Sequence, residues 1–241
     1  MRRVILLLTM MAATLVVASG VALAVNKIGT NGPDTLKGTN GADKLLGKGG
    51  NDVLFSLAGR DTLLGEEGKD WVLGGNDQRP LGGDKNLLGG PDNDGVLGGK
   101  DSDTLTGNSG NDFVNGDFGP DNILGGEGND FADGGPGSDK IVGGEGNDYL
   151  VDGPRRGVAT DTLFGGDGDD VIDPFNKPTK RDVVTCGGGF DRVLSDRADV
   201  VAPDCEKVAV GLAPAKELDQ QIEESGFYDR IFEGLAPFPG G

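Results

Sequence analysis

Histidine is absent from this chain, and with it goes any mechanism that uses imidazole as base, proton shuttle or metal ligand. Ser-His-Asp and Cys-His hydrolases are excluded on the same ground. Aromatic residues make up only 5% of the chain, and there are two cysteines. Basic residues are also few, 22 against 40 acidic ones, for a formal net charge of −18. Nucleic acid and anionic membrane surfaces are therefore poor partners. What the chain holds in excess is glycine, 46 of 241 residues, and aspartate, 31 of the 40 acids. Glycine at this level, with 12 prolines, belongs to low-complexity chains unless it is periodic. Aspartate is the short carboxylate that favours turns and hard cations.

The first 24 residues need a separate reading. Arg2 and Arg3 precede an apolar run from Val4 that extends through Val16 and Val17, and small residues stand at Ala22 and Ala24. This is the layout of a secretory signal peptide with Ala22-Leu23-Ala24 at the cleavage site. The same run is long enough to serve as a retained membrane anchor. Cleavage removes both arginines and takes the net charge to −20, leaving an acidic exported chain with no stable membrane insertion. In that compartment the isolated pair Cys186 and Cys205 reads as a disulfide, contributing about 3 kcal/mol by loop closure.

Self-similarity organises the remainder. Asp34, Asp43, Asp52, Asp61 and Asp70 stand nine residues apart, and the series resumes with Asp94, Asp103, Asp112, Asp121, Asp130, Asp139 and Asp148. A 13-residue step leads to Asp161, and nine more to Asp170. Two residues after each of these 14 aspartates the chain is apolar, from Leu36 and Leu45 to Leu163 and Ile172. With 35% of the chain apolar, random placement would do this on the order of once in a million, so the column marks an inward face. Two residues before the aspartate stands glycine in 11 of 14 cases, the exceptions being Asp92, Asp101 and Ala159. A tight turn with positive φ accounts for that preference.

The resulting motif, G-G-x-G-x-D-x-U-x with U apolar, is clearest in GGEGNDFAD (125–133), GGPGSDKIV (134–142) and GGEGNDYLV (143–151). Over residues 29–194 the chain resembles the haemolysin-type, or RTX, calcium-binding repeat proteins. The resemblance implies an all-β fold: a right-handed parallel β-roll, or β-solenoid, in which strands alternate between two sheets and two repeats complete one turn. It also implies several Ca²⁺ ions between stacked turns, with the 14 repeat aspartates as ligands. Stacked carboxylates about 4.8 Å apart would repel strongly without a counter-ion. Oxygen-rich turns are what Ca²⁺ takes.

The expected organisation is a signal peptide over 1–24, the roll over 25–194, and a C-terminal cap and tail over 195–241. Residues 74–88 are irregular, with Asn86 at the aspartate position and one or two sites lost or distorted. Residues 151–160 hold an insertion, a solvated loop with Arg155 and Arg156. Asp182 with Val184 and Asp191 with Val193 are again nine apart, in a closing segment tied by Cys186 and Cys205. Pro214 to Leu235 is helix-compatible and suits a docked tail, a partner-binding segment or disorder. Trp71 and Tyr149 read as isolated surface aromatics, and the residues after each aspartate vary too much to suggest an outward ladder.

Three functions compete. The leading expectation is a non-enzymatic, secreted calcium-binding module whose folding is coupled to Ca²⁺, with a structural or interaction role and an unidentified cell-surface or extracellular partner. A calcium-dependent extracellular hydrolase or polysaccharide-modifying enzyme is the second, for which only about 47 residues remain outside the repeats. A cell-surface adhesin is the third.

Overall fold

The computed structural model describes residues 23–75, 85–153, 159–174 and 180–210. Every regular element among them is a strand, from β1 (Asn26–Ile28) to β20 (Lys207–Val210). Odd-numbered strands form one ten-stranded parallel sheet and even-numbered strands the other, each in sequence order. Thus β11 (Asn122–Glu127) lies between β9 (Thr104–Ser109) and β13 (Lys140–Glu145), with Ile123 beside both Leu105 and Ile141. The expected two-sheet parallel solenoid is what the chain forms.

The reason lies in the repeat. Three extended residues follow each aspartate, and side chains alternate across a strand, so only the middle one points inward. That residue must find partners across the roll and on neighbouring turns. Two facing files result, Leu45, Leu63, Leu87, Leu105, Ile123, Ile141, Leu163 and Val184 against Leu54, Val72, Val96, Val114, Ala132, Leu150, Ile172 and Val193, and none is more than 2% exposed. Burying one such side chain contributes about 1.5–3 kcal/mol. With a single inward residue per strand the core is a narrow ribbon, and the turns carry an unusual share of the structural load.

Close stacking of turns explains the glycines. Gly128 has φ of 121°, and a Cβ there would run into the backbone of Gly110 one turn earlier. Asp92 and Asp101 replace glycine at the equivalent position and still adopt φ of 82° and 84°. Aspartate is among the few side chains that tolerate this region.

The two edges of the roll differ. Three residues always separate an odd strand from the next even one between β3 (Lys44–Gly49) and β18 (Arg192–Ser195). The long connections 74–85, 152–161 and 174–182 fall instead between an even strand and the next odd one. One edge is therefore regular and the other variable. At the C-terminal end, β19 (Val200–Val201) and β20 continue the two sheets past Leu194. A disulfide joins Cys186 to Cys205, with Cα atoms 5.2 Å apart, and Cys186 belongs to the buried core. The leader up to residue 22, Arg155 and Arg156, and the helix-compatible tail lie outside the described residues.

The aromatic reading needs correction. Neighbours within a sheet come from every second repeat, so Trp71, Gly95, Phe113, Phe131 and Tyr149 share one file on the even-strand sheet. Phe113 and Phe131 stack with centroids 5.3 Å apart, and Phe131 meets Tyr149 at 5.5 Å. Gly95 leaves room for the Trp71 indole, which a Cβ would strike. Trp71 and Tyr149 are buried rather than surface residues. Reading the repeats in steps of nine interleaves two sheets and hides this file.

Candidate metal centre

The turn at each end of a strand places its aspartate at the roll edge, pointing inward. Asp34, Asp52, Asp70, Asp94, Asp112, Asp130, Asp148 and Asp170 line the regular edge, and Asp43, Asp61, Asp103, Asp121, Asp139 and Asp161 the variable one. All but Asp34 are buried.

A ladder of hydrogen bonds links them. Apart from Asp61, the backbone N–H of each repeat aspartate donates to Oδ1 of the aspartate one turn later: Asp94 to Asp112, Asp112 to Asp130 and Asp130 to Asp148, each at 2.8 Å. On the variable edge Asp103 donates to Asp121 at 2.7 Å and Asp121 to Asp139 at 2.8 Å. On the regular edge the ladder passes the chain irregularities, since Asp70 donates to Asp94 at 2.7 Å and Asp148 to Asp170 at 2.9 Å, whereas on the variable edge the position after Asp61 is Lys85, which offers no carboxylate. A second ladder runs beside it on the regular edge, where Asn129 donates to Asn111 Oδ1 and Asn147 to Asn129 Oδ1.

The second carboxylate oxygen is the telling atom. Oδ2 of Asp52, Asp70, Asp94, Asp112, Asp121, Asp130, Asp139, Asp148 and Asp170 is buried with no hydrogen-bond partner. An unsatisfied buried carboxylate oxygen is costly. Each lies beside the first glycine of its turn, and at seven of the nine a Cβ on that glycine would also meet a backbone carbonyl of the next turn. At Gly116, for instance, the neighbours are Asp121 Oδ2 and the Gly134 carbonyl, and at Gly125 they are Asp130 Oδ2 and the Gly143 carbonyl. Carboxylate and carbonyl oxygens around a space kept open by glycine suit a hard divalent cation such as Ca²⁺.

Electrostatics point the same way. Burial pushes the Asp94 carboxyl up to about 9, and those of Asp121, Asp130, Asp139, Asp148 and Asp170 up to about 8. The amide bond from the preceding turn lowers each, and carboxylates on adjacent turns raise them further. A row of such groups holds its charge in the folded chain only beside positive charge.

The ends of the ladders are built differently. Asp34 Oδ2 accepts from the Thr30 amide at 2.6 Å and its hydroxyl at 2.9 Å, and Asp43 Oδ2 accepts from the Thr39 amide and hydroxyl. These first carboxylates are thus capped by threonine. At the other end Asp182 and Asp191 extend the ladders, accepting from Asp161 at 2.8 Å and Asp170 at 2.9 Å. Their own amides donate to Asp199 at 3.3 Å and Glu206 at 2.9 Å. Sequence analysis left Asp182 and Asp191 outside the ligand set, although their spacing and the apolar Val184 and Val193 already signalled them.

Two other positions differ from expectation. Asn86 does not occupy the aspartate position, because Asn86 pairs with Thr62 and Thr104 as the first residue of β7 (Asn86–Pro91). The ladder position belongs to Lys85, whose amide donates to Asp103 Oδ1 at 3.0 Å. Asp152 stands where a turn normally has its first glycine, and its carboxylate joins those of Asp161 and Asp182 in a buried group whose oxygens lie within 4.8 Å of one another. An aspartate in a glycine column was its sequence signal.

These features define a class: a parallel β-solenoid with cation niches along its edges. A family model described as the RTX calcium-binding nonapeptide repeat (4 copies) matches residues 28–63, 46–78, 88–123, 116–150 and 157–173, together more than half of the chain. The chain belongs to this family and is a calcium-binding repeat protein. Among curated proteins no relative is found.

One substitution tests the register directly. Asp130→Ala removes a carboxylate between Asp112 and Asp148 and should disturb the niches on both sides, raising the calcium midpoint of folding about tenfold. Glu127→Ala, at the exposed last residue of β11 three residues away, deletes the same charge and should leave the midpoint nearly unchanged. Equal midpoints for the two in one buffer would show that the ladder does not define the sites.

Proposed function

We propose that the protein is an exported, extracellular module that folds on meeting calcium and then serves a structural or interaction role rather than a catalytic one. The observation that carries this reading is the file of buried Oδ2 atoms without hydrogen-bond partners, which a divalent cation between carboxylate and turn carbonyl would satisfy. The unfolded chain cannot bring turns 18 residues apart together, so calcium binding contributes free energy to the folded form alone. In calcium-poor cytosol such a chain stays extended and translocatable.

Export is supported by two features. The basic, apolar and small-residue order of Met1–Ala24 is that of a cleaved leader. The Cys186–Cys205 disulfide suits an oxidising compartment. A structural role is favoured because the recurrent carboxylates, the chain's evident acid-base groups, are built into the ladders.

Fractionation of cells expressing the full chain provides the test. The expected product lies in the medium or on the cell surface, begins after Ala24, and resists thiol alkylation until reduced. A product retained in the cytosol with both cysteines alkylated would refute the export reading. Recovery of a cell-surface partner in calcium but not in chelator would identify the interaction.

A further inference from the structure

Lys85 has the largest fully buried side chain among the described residues and is 1% exposed. It stands in the variable-edge ladder with Asp61 one turn before it and Asp103 one turn after. Asn86 N–H donates to the Asp61 carbonyl, and Thr104 N–H donates to the Lys85 carbonyl, as at every other rung. The backbone therefore treats this position as an ordinary repeat, but the side chain carries the opposite charge.

Its ammonium lies 3.8 Å from Asp103 Oδ1 and donates a hydrogen bond to the Lys100 carbonyl at 3.3 Å. A carboxylate oxygen and a turn carbonyl are the two donor types that line the cation niches elsewhere on the edges. The same positive charge acts on Asp61. The Gly74 position keeps room for the chain, since a Cβ there would press on the lysine Cδ. Burying an ammonium is expensive unless anionic and carbonyl oxygens surround it, and here they do. Lysine cannot supply the oxygen that an aspartate would offer to the Asp61 amide or to an ion.

We propose that Lys85 is a tethered cation that takes the place of calcium on this stretch of the variable edge. The proposal rests on the calcium reading above. The Asp61-to-Asp103 stretch thus holds a positive charge between its two carboxylates at any calcium concentration, while the regular edge opposite, with Asp70, Asp94 and Asp112, keeps its carboxylates and its demand for ions. The roll then has one internal seam that closes without calcium, next to the irregular segment, and calcium-dependent niches to either side.

Counting ions tests this. Wild type, Lys85→Asp and Lys85→Met are compared in saturating Ca²⁺ by native mass spectrometry, and their calcium midpoints of folding by circular dichroism. Lys85→Asp restores the carboxylate and should bind at least one ion more than wild type. Lys85→Met keeps the length of the chain but removes the charge, and should bind no additional ion while its midpoint rises about tenfold. Equal ion counts for wild type and a folded Lys85→Asp, or an unchanged midpoint in Lys85→Met, would overturn the assignment. Should Lys85→Asp fail to fold in saturating calcium, the Lys85→Met midpoint decides. A wild-type chain that binds no calcium would instead remove the underlying reading, an outcome distinct from ions bound in equal number.

Discussion

In metal-stripped buffer at pH 7.5 the chain without its leader should show little regular structure, and it should gain a strong β spectrum as calcium rises through about 0.1–1 mM, the range of extracellular modules. The transition should be cooperative, because each ion joins two turns and each turn borders two niches. The driving force is the balance between a narrow apolar ribbon and two rows of buried carboxylates. The inward files supply one side chain per strand, while the edges ask the chain to bury like charges on successive turns. Each niche adds about 1.4 kcal/mol for every tenfold rise of calcium above its dissociation constant, and several niches act on one folding equilibrium. Magnesium should substitute poorly, since it holds its waters and demands a compact octahedral shell. A circular dichroism spectrum that does not change across the titration would exclude calcium-coupled folding.

Acid should partly replace calcium. The Asp94 carboxyl is pushed up to about 9 and those of Asp121, Asp130, Asp139, Asp148 and Asp170 to about 8, by burial first and by neighbouring carboxylates in addition. In the unfolded chain such groups titrate near 4. Between those values the cation-free folded form holds protons that the unfolded chain has released, so its stability falls as pH rises. Metal-stripped protein should therefore gain β structure on acidification from pH 8 to pH 4.5. Calcium acts in the same direction as acid, because the unfolded chain and the ion-loaded fold are both deprotonated near neutral pH and only the ion-free fold holds the extra protons. The calcium midpoint of folding should therefore be no higher at pH 6 than at pH 8, and should rise toward pH 8 to the extent that protons hold the fold without ions. Dichroism titrations at three pH values measure both effects, and a midpoint that falls as pH rises from 6 to 8 would overturn this placement of the protons.

Much of this architecture was legible in the sequence, and the reasons for the remainder are specific. The period in aspartate, the apolar column two residues later and the preceding glycine each report a different constraint, so their agreement located the inward column and the turn carboxylates, while the division into two sheets and two edges followed from the family resemblance. Lys85 escaped because Leu87 and Leu88 are both apolar. Placing the inward position at Leu88 puts Asn86 at the ladder, whereas the structure turns Leu87 inward between Leu63 and Leu105, which puts Lys85 there. Composition cannot break that tie, since it depends on which leucine continues the file above and below. The aromatic file from Trp71 to Tyr149 escaped for a topological reason, being periodic in 18 residues and not in nine. The threonine caps on Asp34 and Asp43 stand at the motif's second-glycine position, a column too variable in the other repeats for Thr30 and Thr39 to be singled out.

The aspartate ladder has a direction. Every rung is made by a carboxylate reaching back to an amide that precedes it in the chain, as Asp148 does to Asp130 and Asp191 does to Asp170. In these two files a turn's amide is served by its successor, whereas the asparagine file beside the regular edge runs the other way, and the last aspartate amides are served by Asp199 and Glu206. A chain threaded out N-terminus first would zip in order of arrival: each incoming loop locks the one a turn before it on the same edge and leaves one open rung per edge at the growing tip. Such a zipper works as a ratchet, since every rung closed on the far side of a membrane is one that must be reopened before the chain can slide back.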